Sequence, residues 1–220
     1  MNLARKHWYD FGGIFAVLVL TYVIIHYKNL DDYQLLMWLS LVTLFLHQLE
    51  EYRFAGTFPG MINKVMFHSD NPDRYPLNTN TALIINVIVG WLFYFLAAFL
   101  GEKTMWLGLA TILVSFGNFI AHTFVFNIKG KTFYNAGMIT AWIFFLPCTC
   151  FFFFLVNKNH LMRTSDYLIG ISLGIVLNVV GIFKMIEWLK DKNTKYIFPE
   201  RNLLPAERKN SIDLKPGTRK

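Results

Sequence analysis

Hydrophobic residues occur along the chain in long stretches that short polar breaks separate. A membrane-spanning helix needs roughly 20 mostly apolar residues. Stretches of about this length lie at 11–27, 33–51, 81–100, 104–126, 136–156 and 166–188. The breaks, such as "KNLDD", "GEK" and "NIKGKT", carry the charged residues, Gly and Asn that are typical of loops. The pattern therefore predicts an all-α fold, a polytopic transmembrane helix bundle with about six spans.

Composition supports this interpretation and divides the chain into two parts. Hydrophobic residues make up 55% of the 220 residues, and 22 of them are Phe. A water-soluble domain of this size does not need so much apolar surface. We therefore predict a transmembrane domain over 1–190 and a basic tail over 191–220. The excess of Lys and Arg in the tail is typical of a segment beside anionic lipid headgroups, and no nucleic acid partner is expected.

Positive charge also predicts an orientation. The N-terminal region, the 52–80 loop, the 127–135 loop and the tail are the basic connections. With six spans they all fall on one side, which by the positive-inside rule is the cytoplasm. We expect a multi-pass protein of the cell membrane with both termini cytoplasmic. Three prolines break the 52–80 loop, and its middle part is either a short helix on the membrane surface or an ordered loop.

The second apolar stretch ends in an unusual way, with "LFLHQLEEYRFAG" at residues 44–56. On a helix, Glu50 and Glu51 lie three and four residues after His47, so the three side chains share one face. An acidic residue at the bilayer centre costs roughly 2.5–3.5 kcal/mol, and such residues are usually functional. This face is therefore a candidate site.

Other spans place polar residues at the same cytoplasmic level. The fourth span has Asn118 and His122 four residues apart, and the fifth begins with Tyr134, Asn135 and Thr140. The third and sixth spans add further asparagines, Asn80, Asn86 and Asn178. We interpret Asn86 and Asn178 as interhelical hydrogen-bonding residues. The other polar residues of these spans predict one polar site at the cytoplasmic end of the bundle.

Several of these motifs resemble one known family. They are H-Q-L-E-E at 47–51, "HSDNPDRYPLNTNTALIINVIVGW" at 68–91, N-F-I-A-H at 118–122 and Y-N-A-G at 134–137. In this order they resemble the HXXEE-domain family of integral membrane proteins, over about residues 35 to 150. One position departs from the family pattern, because Ala136 stands where we associate a proline. The resemblance implies that the family's marked positions are His47, Glu50, Glu51, Asn118 and His122, and it supplies no reaction.

A metal centre is one chemistry that these residues favour. His47, Glu50 and His122 would be ligands to Zn, Fe or Mn. Glu51 would be a fourth ligand or a general base, and Asn118 would position His122 or the substrate. Tyr134 and Asn135 complete the candidate catalytic group. Because the site lies at the membrane interface, we expect a membrane lipid, an isoprenoid or a lipidated molecule as substrate.

Other functions remain open at this point. A carboxylic acid of raised pKa can move protons without a metal, which is the second enzymatic hypothesis. A small proton-coupled transporter also keeps Glu and His within the membrane, although the chain shows no inverted repeat. A non-catalytic accessory or immunity protein is the third class.

Overall fold

The computed structural model of the chain describes residues 2–208, and in this part the regular elements are all helices. The prediction of an all-α helical bundle is confirmed. Numbered in chain order, the helices are α1 (Asn2–His26), α2 (32–54), α3 (58–66), α4 (79–100), α5 (105–130), α6 (Met138–Asn159) and α7 (Thr164–Trp188). Short 3-10 turns follow α1 at Tyr27–Asn29, follow α4 at Gly101–Thr104, and lie in the tail at Glu200–Asn202.

Helices long and apolar enough to cross a membrane are typical of membrane proteins. Within the described residues four helical segments qualify, namely Leu3–Asn29, Thr79–Gly130, Met138–Asn159 and Thr164–Trp188. The predicted count of six spans is therefore not reproduced. Thr79–Gly130 has 52 residues, about 78 Å at 1.5 Å per residue, against a hydrocarbon core of about 30 Å. It turns back at Gly101, where φ is +59°, and comprises α4 and α5.

The helix α2 is the predicted span that is not among these four segments. Its position within the bundle explains why it carries polar residues. Residues along its whole length are buried, including Tyr33, Met37, Leu41 and Phe45. It packs against α1, α4 and α6. Because other helices rather than lipid surround α2, it can carry polar side chains at little cost. The end of α2 that bears the H-Q-L-E-E motif is therefore enclosed by protein.

The loop that follows α2 folds over the same end of the bundle. Its middle part is the helix α3, and Met61, Ile62 and Asn63 on it are buried. The Asn63 side chain holds the rest of the loop, since it donates to the carbonyl oxygens of Pro72 and Leu77 and accepts from the Leu77 amide. The predicted surface helix is thus a helix packed into the protein.

The basic tail, as far as it is described, packs onto the loop that follows α2. The loop and the tail together cap this end of the bundle. The fully buried Asn202 donates to the carbonyl oxygens of Tyr52 at 3.1 Å and Gly56 at 2.6 Å. The Phe198 amide donates to the Asp73 carbonyl oxygen at 2.8 Å. The end of the tail, 209–220, for which we predict poor order, lies outside the described residues.

Candidate functional site

Three side chains meet at the capped end of the bundle. Glu51 Oε1 lies 3.3 Å from His122 Nε2 and 3.5 Å from His47 Nε2. The relative exposures are 2% for His47, 4% for Glu51 and 0% for His122. One ligand atom from each residue lies within 4.8 Å of the other two, which is close enough for one metal ion. Helices α2 and α5 thus form a buried group of two imidazoles and one carboxylate.

Asn135 decides which nitrogen of His122 carries hydrogen. The Asn135 amide nitrogen donates to the His122 carbonyl oxygen at 2.7 Å and to Asn127 Oδ1 at 2.8 Å. Its Oδ1 therefore faces His122 Nδ1, at 2.6 Å. Since an amide oxygen only accepts, Nδ1 carries the hydrogen and donates it. The neutral ring then presents the lone pair of Nε2 to Glu51.

Thr140 has the same effect on His47. Its Oγ1 lies 2.9 Å from His47 Nδ1, 2.6 Å from Glu50 Oε2 and 3.1 Å from the Gly137 carbonyl oxygen. The single hydroxyl hydrogen goes to one of those two oxygens, so Oγ1 accepts from His47 Nδ1. The lone pair of His47 Nε2 therefore also points at Glu51.

The result is a cluster of acceptors that has no donor in the described protein. His47 Nε2 and His122 Nε2 are both buried and neither makes a hydrogen bond to the described residues. Each faces a carboxylate oxygen, which is itself an acceptor. Buried polar atoms are rarely left without a hydrogen-bond partner. A cation shared by the three atoms, either a proton or a metal ion, would satisfy them.

The two nitrogen–oxygen distances agree with a tetrahedral metal site. Ligand bonds of about 2.0–2.1 Å at tetrahedral angles place neighbouring ligand atoms about 3.3 Å apart. The observed nitrogen–oxygen separations are 3.3 and 3.5 Å. Metal-binding histidines usually donate their other ring nitrogen to an oxygen, as His122 and His47 do. Two histidines and one carboxylate also form a known catalytic ligand set that leaves one position open.

Glu50 lies beside this group but its oxygens are used by other donors. Glu50 Oε2 accepts from the Thr140 amide at 2.8 Å and from Thr140 Oγ1, while Oε1 accepts from the Ile139 amide at 3.2 Å and from the Tyr134 hydroxyl at 3.0 Å. Burial, together with the charge of Glu50, raises the pKa of Tyr134 to about 12. Tyr134 therefore stays protonated at neutral pH and remains a donor to Glu50.

The loop between α5 and α6 comes close to both imidazoles through a glycine. Gly137 has φ +104°, in the region that favours glycine. A Cβ atom there would lie 2.8 Å from His122 Nδ1 and 2.9 Å from His47 Cε1, too close for ordinary contact. Gly137 belongs to the Y-N-A-G motif, and its place in the sequence predicts no role for it. A glycine just before a helix was the only available signal.

Helices α2 to α7 all contain π-helical turns, and three of these turns lie at the buried group. These turns are Glu50–Phe54 in α2, Ala121–Val125 in α5 and Ala141–Phe145 in α6. A π-helical turn inserts an extra residue and rotates the side chains that follow, and such turns are frequent at functional sites. Aromatic rings complete the enclosure, with Phe58 stacked on His122 and Phe145 against His47.

A cavity of about 320 Å³ adjoins the site between α2, α4, α5 and α7. Glu51 and His47 form part of its wall, and most of the other lining residues are apolar. Phe67 and Phe183 also line it and are 44% and 49% exposed, so the cavity reaches the outer surface of the bundle. Its size and lining are typical of small-molecule sites.

The structure brings most of the predicted site residues together. His47, Glu51, His122 and Asn135 form the buried group, and Glu50 and Tyr134 are joined to it through Thr140. Asn118 lies on the cavity wall, where its amide nitrogen donates to the Val114 carbonyl oxygen and not to His122.

The asparagines of the predicted third and sixth spans all make hydrogen bonds. Asn80 accepts from Arg5 at 2.8 Å, and Asn86 accepts from Gln48 at 3.0 Å. Asn178 donates from α7 to the Leu113 carbonyl oxygen on α5 at 3.3 Å. Asn86 and Asn178 thus connect helices, and both also line the cavity.

Comparison with known proteins places the chain in one family. The family model described as "Protein of unknown function with HXXEE motif" matches residues 38–152. No curated protein and no solved structure matches the chain. The matched region includes His47, Glu51 and His122, together with the loop that orients them. The chain belongs to the HXXEE family.

Proposed function

We propose that the chain is a membrane enzyme that uses a divalent metal ion to act on a lipid-like substrate. One observation carries the proposal: the two unpartnered Nε2 atoms of His47 and His122 converge on the Glu51 carboxylate in a buried pocket. Zn, Fe and Mn all accept imidazole and carboxylate ligands.

The residues of the chain divide into ligands and orienting groups. His47, Glu51 and His122 would hold the ion. In this assignment Glu51 takes the ligand role that we first gave to Glu50. A metal ion bound there would polarise a substrate oxygen or make a bound water acidic enough to react near neutral pH. Asn135 and Thr140 keep the imidazoles in the tautomer that binds a metal.

The surroundings of the site favour a substrate that comes from the membrane. The helix α3 and the tail cover the end of the bundle, and Phe58 lies directly against His122. The cavity reaches the outer surface beside Phe183, on the apolar helix α7, as well as beside Phe67 after α3. A molecule that is dissolved in the bilayer meets this opening before it meets water.

The distribution of positive charge supports a location. The capped end carries the basic 52–80 loop and the basic tail, and by the positive-inside rule such segments face the cytoplasm. We therefore propose a multi-pass protein of the cell membrane with both termini cytoplasmic and the site at the inner leaflet. Labelling of single cysteines introduced at position 193 or 158, on intact and permeabilised cells, tests this orientation. Labelling of position 193 on intact cells would contradict it.

Elemental analysis of the detergent-purified protein tests the metal. The wild type should carry one Zn, Fe or Mn ion per chain, and the His47→Ala, Glu51→Ala and His122→Ala variants should carry none. His160→Ala is the matched control, because His160 is exposed at the end of α6. Wild-type protein that contains no metal and takes none up from solution would overturn the proposal.

A metal-free enzyme is the second candidate, and one chain of hydrogen bonds favours it. The chain His47–Thr140–Glu50–Tyr134 joins the imidazole to a tyrosine that is 43% exposed. Such a chain can pass protons between the pocket and the surface. In that case a proton would lie between Glu51 and one of the two Nε2 atoms, and activity would survive exhaustive chelation.

A further inference from the structure

Two asparagine amides on the cavity wall have oxygens that accept no hydrogen bond from the described residues. Asn118 on α5 and Asn178 on α7 both line the cavity next to Glu51. Their amide nitrogens are occupied, while no bond to either Oδ1 occurs within residues 2–208. Neither oxygen is sealed away in the packing, since buried unpartnered side-chain atoms do not include them.

Backbone carbonyl groups determine which way these amides face. The Asn118 nitrogen donates to the Val114 carbonyl oxygen at 2.9 Å, four residues earlier in α5. The Asn178 nitrogen donates to the Gly174 carbonyl oxygen at 2.9 Å and to that of Leu113 at 3.3 Å. A carbonyl oxygen only accepts, so rotating either amide would place two acceptors against each other. Both wall positions therefore present an acceptor and no donor.

A glycine brings the two amides to the same part of the cavity. Asn178 Oδ1 lies so close to Gly117 that a Cβ there would be 2.5 Å away. Gly117 is the neighbour of Asn118 in α5, and it lines the cavity as well. Asn178 Oδ1 therefore lies against the part of α5 that carries Asn118, where α7 packs on α5.

The charges around the cavity disfavour a ligand with an anionic headgroup. None of the described residues that line it is Lys or Arg, and Glu51 is the acidic one among them. A divalent ion at the site would be balanced by Glu51 and the adjacent Glu50. No positive charge would then remain for a phosphate or carboxylate headgroup, and burying an unpaired charge is costly.

From these observations we infer that the cavity binds an uncharged amphiphile whose polar end is a hydroxyl group, that is, a long-chain or polycyclic alcohol. The single hydroxyl hydrogen is donated to the Asn118 or the Asn178 oxygen, and the hydroxyl oxygen lies toward the Glu51 group. This inference deepens the proposed function and rests on it for the reaction, but binding itself is measured separately.

Photolabelling with a diazirine-bearing long-chain alcohol tests the inference on the purified full-length protein in detergent. Unlabelled competitors of the same chain length carry an alcohol, a carboxylate or a phosphate. The alcohol should compete at least about tenfold better than the two anions, since one hydrogen bond and an avoided buried charge separate them. A carboxylate or phosphate that competes as well as the alcohol would overturn the inference.

Variants locate the binding to the two amides. Asn118→Leu and Asn178→Leu keep a similar volume, and the one that removes the accepting oxygen should weaken competition by the alcohol about tenfold. Asn159→Leu, at the exposed end of α6, is the matched control and should behave as the wild type. Unchanged alcohol binding in both cavity variants contradicts the inference. The competitor series on the wild type decides the question if a variant fails to fold.

Metal analysis of the same preparations separates this inference from the proposed function. Protein that holds its metal but shows no preference for the alcohol leaves the proposed function standing and removes the hydroxyl assignment. Protein that prefers the alcohol but never binds metal removes the metal-dependent function and keeps the ligand class.

Discussion

His122 Nδ1 lies 2.6 Å from Asn135 Oδ1, and this contact determines which ring nitrogen of His122 faces Glu51. Asn135 belongs to the loop between α5 and α6, thirteen residues after the histidine that it orients. The loop therefore acts on the site without contributing a ligand. The geometry of the buried group depends on this loop as much as on the H-Q-L-E-E motif.

Replacing Asn135 should weaken metal binding without removing a ligand. Asn135→Leu removes the oxygen that accepts from His122, and we expect a 10–100-fold loss of metal affinity, which is typical when an orienting partner is lost. Asn135→Asp keeps an acceptor and should lose less. Competition with a chelator measures both affinities. Equal affinities for Asn135→Leu and the wild type would contradict the assigned tautomer.

The two adjacent glutamates should differ in what their replacement does. Glu51→Gln replaces a ligand and should abolish metal binding. Glu50→Gln should retain the metal, because Glu50 Oε1 and Oε2 are occupied by Thr140, Ile139 and Tyr134. It should instead reduce thermal stability, since removing the charge weakens hydrogen bonds worth about 1.5–3 kcal/mol each. Metal content and thermal unfolding distinguish the two, and the opposite pattern would assign the ligand to Glu50.

Gly137→Ala should disrupt the site although it removes no polar group. The added Cβ meets both imidazoles, and a positive φ costs a non-glycine residue about 1–2 kcal/mol. We expect lower thermal stability and loss of metal. Gly90→Ala provides the control, because its Cβ would meet its nearest neighbours at 3.7 Å within a helix. Gly90→Ala should be neutral or slightly stabilising. A Gly137→Ala protein with full metal content would mean that the loop does not approach the rings.

Asn202→Ala should loosen the tail without affecting the metal site. The change leaves the carbonyl oxygens of Tyr52 and Gly56 without their donor, which costs about 1–3 kcal/mol for buried groups. The tail should then be cut faster by trypsin, while metal content stays at the wild-type level. Asn193→Ala, at an exposed position, serves as the control. If the two variants are cut at the same rate, the tail does not depend on Asn202.

Apolar stretches predicted the helices and their order because a spanning helix needs a long run of apolar residues. They did not predict which helices qualify as spans. The helix α2 is shielded by its neighbours and so carries polar residues. The helix α1 begins at Asn2 and not near residue 11, and Arg5 near its start donates to Asn80.

The sequence predicted which residues form the site better than it predicted the role of each residue. Helical spacing places Glu50 and Glu51 on the same face as His47, so spacing cannot choose between them. A π-helical turn at Glu50–Phe54 and the contacts of Thr140 separate the two carboxylates. The role of Gly137 depends on a loop conformation that no periodic pattern encodes.

X-ray absorption at the zinc edge of the metal-loaded protein measures the central claim most directly. The two imidazoles and the Glu51 carboxylate should give nitrogen and oxygen neighbours at about 2.0–2.1 Å, with the outer scattering of two imidazole rings. The His47→Ala and His122→Ala proteins, which should carry no metal, should each lose this signal. A spectrum without imidazole scattering, or one that neither substitution changes, would contradict the assignment of these residues to a metal centre.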